Sequence, residues 1–257
     1  MRDYATPRPF VLATILLVGA MAGPVLVLLA TLPPSAAVAA FALPAARSAV
    51  QTSLLASALA TGIASLLGIP AGYWLARSHS RLRPAALAAL ALPLAFPPVA
   101  SGILLLQVIG TREPLGAWLA LHGVRLVDAF GGVTLAEFFV AGSFVALAAT
   151  AAFASLDRLP EEAARTLGAG EWRIFTRIAL PAALGNVAAG IAFAWLRALG
   201  EYGATSVVAY HPTALPVAVY IALAASGVRA ALALCYGFVI LAIVVLGLQW
   251  VLRRHVV

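Results

Sequence analysis

Lysine is absent from this 257-residue chain, and charge of either sign is scarce: 16 arginines and 9 acidic residues make up 10% of the sequence. A water-soluble domain normally carries charge on roughly a quarter of its residues. The chain therefore has too little polar surface to cover a globule, being 63% hydrophobic with a mean hydropathy of +1.04. Lipid removes the difficulty, because a helix satisfies its own backbone groups there. Cysteine appears once, as Cys235 inside an apolar run, which excludes an internal disulfide and a thiolate metal cluster. The histidines His79, His122, His211 and His255 are scattered without metal-ligand spacing, so no metal is expected. No G-x-x-x-x-G-K-[ST] segment occurs, which leaves the chain without a nucleotide P-loop of its own. The formal net charge of +7 sits in short arginine groups at the ends of apolar runs. Nucleic-acid binding would need those arginines on one face with aromatic platforms between them. Their placement fits topology signals and lipid phosphates instead.

Six apolar runs are present. Phe10–Leu32 spans 23 residues, about 34 Å as a helix and enough to cross a bilayer. It exceeds the apolar region of a secretory signal, about 7–15 residues, and reads as a retained anchor. The others cover about Thr52–Ala76, Pro84–Ile109, Gly131–Phe153, Ile178–Tyr210 and Ala230–Leu252. The fifth is longer than a bilayer needs, which implies tilt or an interfacial start. The expected fold is an all-α polytopic membrane protein with six transmembrane helices, both termini on one side, as one domain over residues 1–257. The connections 33–51, 110–130 and 211–229 have room for a small re-entrant or surface helix at most.

Arginine counts choose the side. With the N-terminus inside, the inner segments hold Arg2, Arg8, Arg77, Arg81, Arg83, Arg158, Arg165, Arg173, Arg177, Arg253 and Arg254. The outer segments hold Arg47, Arg112, Arg125 and Arg229, and Arg197 falls within run five. Eleven against four is a clear positive-inside bias. The expected location is the cell (inner) membrane with cytoplasmic termini.

Between runs four and five lies a charged island, 157–181. Asp157 suits a helix cap, Pro160 the first turn, and Glu161 and Glu162 the positive end of the helix dipole. Leu159, Ala163 and Leu167 recur every four residues as a small apolar stripe. Gly168 and Gly170 permit a sharp turn, after which Trp172, Phe175 and Ile178 can face the interface or neighbouring helices.

Glu162-Ala163-Ala164, then Gly168-Ala169, then Ile178-x-Leu180-Pro181 resembles the EAA loop of the permease subunit of ABC importers. The segments LPLAFPPVASG, PLGAWL, RALGEYGAT and VAYHPTALPVAVY extend the likeness over residues 52–252. Together they resemble the molybdate/tungstate permease family, the archaeal type in particular. Sulfate and thiosulfate permeases share the proline-rich third span and a G-E-[YF]-G element and are the alternative. The resemblance implies the type I ABC importer permease fold and a homodimer around one pathway. It also implies two P-loop ATPase subunits that bind ATP and Mg, an extracytoplasmic oxyanion-binding protein, and no cofactor on this chain. It assigns ATPase coupling to Glu162, Ala163, Ala164, Arg165, Gly168 and Ala169, with Arg173 a further partner for salt bridges. Chemistry on phosphate belongs to the partner, so the chain is not an enzyme by itself.

Candidate pathway or gate residues follow from the cost of polar groups in lipid. Arg197 and Glu201, four residues apart in run five, can pair along a helix face, either as a structural brace or as part of the gate. Glu137 lies within run four. Pro93, Pro97 and Pro98 interrupt run three and free backbone carbonyls, as a broken span lining water or a kink facing lipid. Ser101 follows and offers a hydroxyl to an anion. An ion-coupled secondary transporter would use such buried acids at broken helices, but it leaves the island without a role.

Overall fold

Proline does much of the punctuation in this fold. The computed structural model of the chain describes residues 8–256; Arg2, one of the arginines expected on the inner side, lies outside the described residues. In chain order the helices are α1 (Arg8–Thr31), α2 (Pro34–Ala42), α3 (Pro44–Arg77), α4 (Arg83–Ala95), α5 (Pro98–Ile109), α6 (Pro114–Leu121) and α7 (Phe130–Ala154). Then come α8 (Leu159–Thr166), α9 (Glu171–Ile174), a π-helical turn (Phe175–Ala179), α10 (Leu180–Leu199), α11 (Gly203–Val208), α12 (Leu215–Ser226) and α13 (Val228–Val256). Seven of them (α2 to α6, α8 and α12) carry proline in the first turn. There the missing N–H is no loss and the fixed φ is already helical.

Five stretches are long and apolar enough to cross a membrane: α1, α3, α7, the continuous segment Glu171–Leu199, and α13. The sixth crossing is made by α4 and α5 together, bent by 115°. Phe96 and Pro97 are extended because a residue that precedes proline is driven out of the helical region. The two ends of the pair still lie at opposite ends of the bundle. Arg83 Nε donates to Leu75 O at the end of α3 (2.7 Å), whereas Ile109 packs with Val133 at the start of α7.

Two runs differ from the sequence reading at their ends. α3 begins at Pro44, well before Thr52, because the proline starts the helix and nothing in Ala45–Gln51 stops it. Run five begins at Glu171 and ends at Leu199; three non-helical residues then separate it from α11.

The core is a seam of small residues between α3 and α7. Ala56, Ala60 and Ala64 are fully buried or nearly so. A Cβ at Gly72 would lie 2.6 Å from the Ala149 Cβ, and one at Gly68 would lie 3.0 Å from Val145 Cγ1. Lipid gives apolar helices no hydrophobic push, so close backbone approach is what holds them. Hydrogen bonds add to it: Trp195 Nε1 donates to Ser57 Oγ (2.9 Å) and Leu215 N to Ser53 Oγ (2.7 Å). The Tyr236 hydroxyl donates to Leu32 O and ties α13 to the end of α1.

Candidate functional site

The charged island is a folded unit at one end of the bundle. Asp157 Oδ1 accepts a hydrogen bond from Leu159 N (3.1 Å) and turns the chain out of α7 into α8. α8 ends by a glycine turn: Gly168 N donates to Arg165 O (2.9 Å), Ala169 N donates to Ala164 O (3.0 Å), and Gly168 has φ +82°. That pattern of two reversed bonds with a left-handed glycine closes the free carbonyls of a helix end. Nothing crowds Gly168; its backbone angle alone demands glycine. After the turn, α9, the π turn and α10 form one unbroken helix past Pro181. The π turn lies directly before this proline, whose ring would otherwise strike a carbonyl of the preceding turn.

The two glutamates of the first turn have different fates. Glu162 is exposed, as are Leu159 (68%) and Leu167 (88%). Glu161 is 2% exposed and buried against α3. Its carboxylate accepts from Arg77 Nη2 (2.6 Å), from Arg77 Nε (3.1 Å to each oxygen) and from the Tyr73 hydroxyl (3.0 Å). Arg165 lies 3.8 Å from the same carboxylate and makes a two-pronged pair with Glu171 (2.6 and 3.0 Å). That pairing, foremost the hydrogen bond to Glu171, holds the Arg165 guanidinium above its ordinary range. Arg165 is therefore bound within the island, while Arg173 is exposed. In the sequence Tyr73 and Arg77, four apart at the end of a span, form a donor pair, but nothing there says which acid they take.

Beneath the island, Tyr73, Phe153 and Phe175 make an aromatic cluster with ring centroids 5.0 to 6.1 Å apart. Phe175 and Ile174 are buried, and Trp172 projects outward at 71% exposure. Of the three residues expected at the interface or on neighbouring helices, two thus divide cleanly between those roles.

Deeper in the bundle the bent pair α4–α5 meets α11, the short helix that follows α10. Gly203 of α11 lies against α5, where a Cβ would come within 2.5 Å of Pro98 Cβ. Gly102 of α5 faces Ala204 and Val207 in return. Ser101 is buried beside this contact. Arg197 Nη1 and Glu201 Oε2 pair at 2.7 Å, but Glu201 stands beyond the end of α10. Its other oxygen accepts from Ala204 N (2.9 Å) and caps α11. Glu137 is completely buried, with no hydrogen-bond partner for either oxygen among the described residues. Pro93 lies within α4, and Pro97–Pro98 form the bend. A cavity of about 980 Å³ opens elsewhere, between α2, the start of α3, α12 and α13, and is lined by none of these residues.

A bundle of apolar passes, with one bent span packed on the short α11 and one ordered polar island at its end, defines a polytopic membrane protein. The chain belongs to the family of binding-protein-dependent transport system inner membrane components, whose profile matches residues 68–254. It is 40% identical over 184 residues, 72% of its length, to a probable molybdenum ABC transporter permease protein of Haloferax volcanii. It is 35% identical over 164 residues, 64% of its length, to the molybdate/tungstate transport system permease protein WtpB of Thermococcus kodakarensis. To the sulfate transport system permease protein CysW of Synechocystis it is 32% identical over 162 residues, 63% of its length. The chain spans 67%, 61% and 59% of these relatives' own lengths. The fold is that of a solved bacterial ABC transporter involved in alginate import, with TM-score 0.67, 19% identity, and 96% of this chain and 93% of that one covered.

Proposed function

We propose that the chain is the membrane subunit of an ATP-driven importer of molybdate and tungstate, working as a homodimer. Two P-loop ATPases beneath it bind ATP and Mg, and an outer binding protein delivers the oxyanion. The observation that carries the reading is the identity to the Haloferax and Thermococcus permeases over some two thirds of the chain. The positive-inside arginine pattern supports a cytoplasmic island and cytoplasmic termini. The ordered, outward-facing α8 supports a docking role. In this reading Glu162, Ala163 and Ala164 present the surface that the ATPase grips, Gly168 and Ala169 set its angle, and Arg165 stiffens it. Closure of the ATPases draws the two copies of α8 together and opens the pathway outward; hydrolysis reverses the motion. Pro93, Pro97, Pro98, Ser101, Glu137, Arg197 and Glu201 mark the region of the pathway and gate.

A second reading, sulfate import, is favoured by the identity to the Synechocystis permease. Reconstitution of the chain with its ATPase and binding protein separates the two. Uptake of molybdate and tungstate in preference to sulfate is the expected result, and uptake confined to sulfate overturns the substrate assignment.

A further inference from the structure

α8 has two faces with opposite character. One carries the exposed Leu159, Glu162 and Leu167. The other carries Glu161, buried and held by four hydrogen bonds to two side chains of α3. Those partners are 84 and 88 residues away in sequence, so the contact is lateral, not a consequence of chain connection. A second grip lies beside it: Arg158 Nη2 donates to Ala76 O, one residue before Arg77 (3.2 Å).

The routes along the chain are softer. Residues 155–158, between α7 and α8, are non-helical, and the link from α8 to α9 is the glycine turn. Across that turn α8 and α9 are bridged only by the exposed Arg165–Glu171 pair, whereas the buried bidentate pair to Arg77 leads directly into α3. α3 is a single helix of 34 residues, and its contacts with α7 leave no room for even a methyl group at Gly72. A tightly packed pair of this kind moves as a body instead of flexing.

We propose that Glu161 is a positioning residue that latches α8 to Arg77 and Tyr73, so that motion of the docked island is delivered sideways into α3 and through it to α7. The proposal rests on the docking reading of the island. The latch separates two tasks that sit on adjacent residues: Glu162 faces the motor and Glu161 faces the membrane bundle.

The test uses the reconstituted complex of permease, ATPase and binding protein, with molybdate as the transported probe. Docking is checked first, by cross-linking a Glu162→Cys permease to the ATPase. Absence of the cross-link overturns the docking reading, and the latch with it, before Glu161 is touched. With docking in place, Glu161→Gln is expected to keep the cross-link and the assembled complex. The molybdate taken up per ATP hydrolysed should fall about 10-fold, within the usual range of coupling between sites. Tyr73→Phe, which removes one hydrogen bond and keeps the ring packing, should give a smaller fall in the same ratio. The exchanged pair Arg77→Glu with Glu161→Arg should recover most of it. A merely structural role would reduce the amount of complex and leave the ratio unchanged. An unaltered ratio in both Glu161→Gln and Tyr73→Phe, or loss of the ATPase subunit from Glu161→Gln, overturns the latch.

Discussion

Gly168 shows how a single backbone angle shapes the island. Its φ of +82° is in the left-handed region, where a Cβ costs on the order of 1–2 kcal/mol. Gly168→Ala is expected to loosen the turn and lower ATP-coupled molybdate uptake while insertion stays intact. Gly168→Asn should be milder, because asparagine tolerates that region. Equal losses in the two variants would remove backbone angle as the cause. At Glu137 the physics runs the other way. Its carboxyl is buried with no hydrogen-bond partner among the described residues, and a lone buried charge is costly. Glu137→Gln is expected to leave the melting temperature of the detergent-purified protein unchanged or raise it; a large drop would reveal a partner for the acid. The E-A-A spacing was legible in the sequence and pointed to Glu162, an exposed residue. It did not reveal that the neighbouring Glu161 is the buried one. Which of two adjacent acids turns inward depends on the phase of a short helix against a span far off in sequence, and no local pattern carries that phase.

At the scale of elements, the fold is set by where helices are allowed to break. Pro97–Pro98 announced the first break, since proline acts through local sterics that any reader of the chain can apply. The second, at Gly200–Tyr202, has only a weak mark within run five: Gly200 and Gly203 permit local unwinding or close helix approach without requiring either. It is the capping of α11 by Glu201 and the close contact with α5 that hold it open. The reverse occurred at Pro181: a local breaker sits inside a continuous helix because the π turn absorbs it. The contact between α5 and α11 is tight enough to test. A methyl at Gly203 would lie 2.5 Å from Pro98 Cβ and 2.8 Å from Val99 N. Overpacking of this kind costs about 1–3 kcal/mol, so Gly203→Ala should lower thermal stability in detergent. Gly185→Ala, where nothing lies within 4 Å, is the matched control and should be silent.

For the whole molecule, the apolar passes were legible from the hydrophobic runs, whereas their arrangement needed the packing seams. The orientation expected from the arginines is open to direct measurement. In a chain with Cys235→Ser and Glu162→Cys, a membrane-impermeant thiol reagent should label position 162 only after cells are opened. Labelling of intact cells would reverse the proposed topology.

α1 stands apart from the rest: over its whole length Leu28 is the single residue that is buried, and Pro24 is its only interruption. The family profile begins at residue 68, well beyond it. Nearly any exchange among leucine, isoleucine, valine and phenylalanine from Phe10 to Val27 is therefore invisible to the remaining helices. For this chain's own packing, that stretch is constrained by oiliness and by little else.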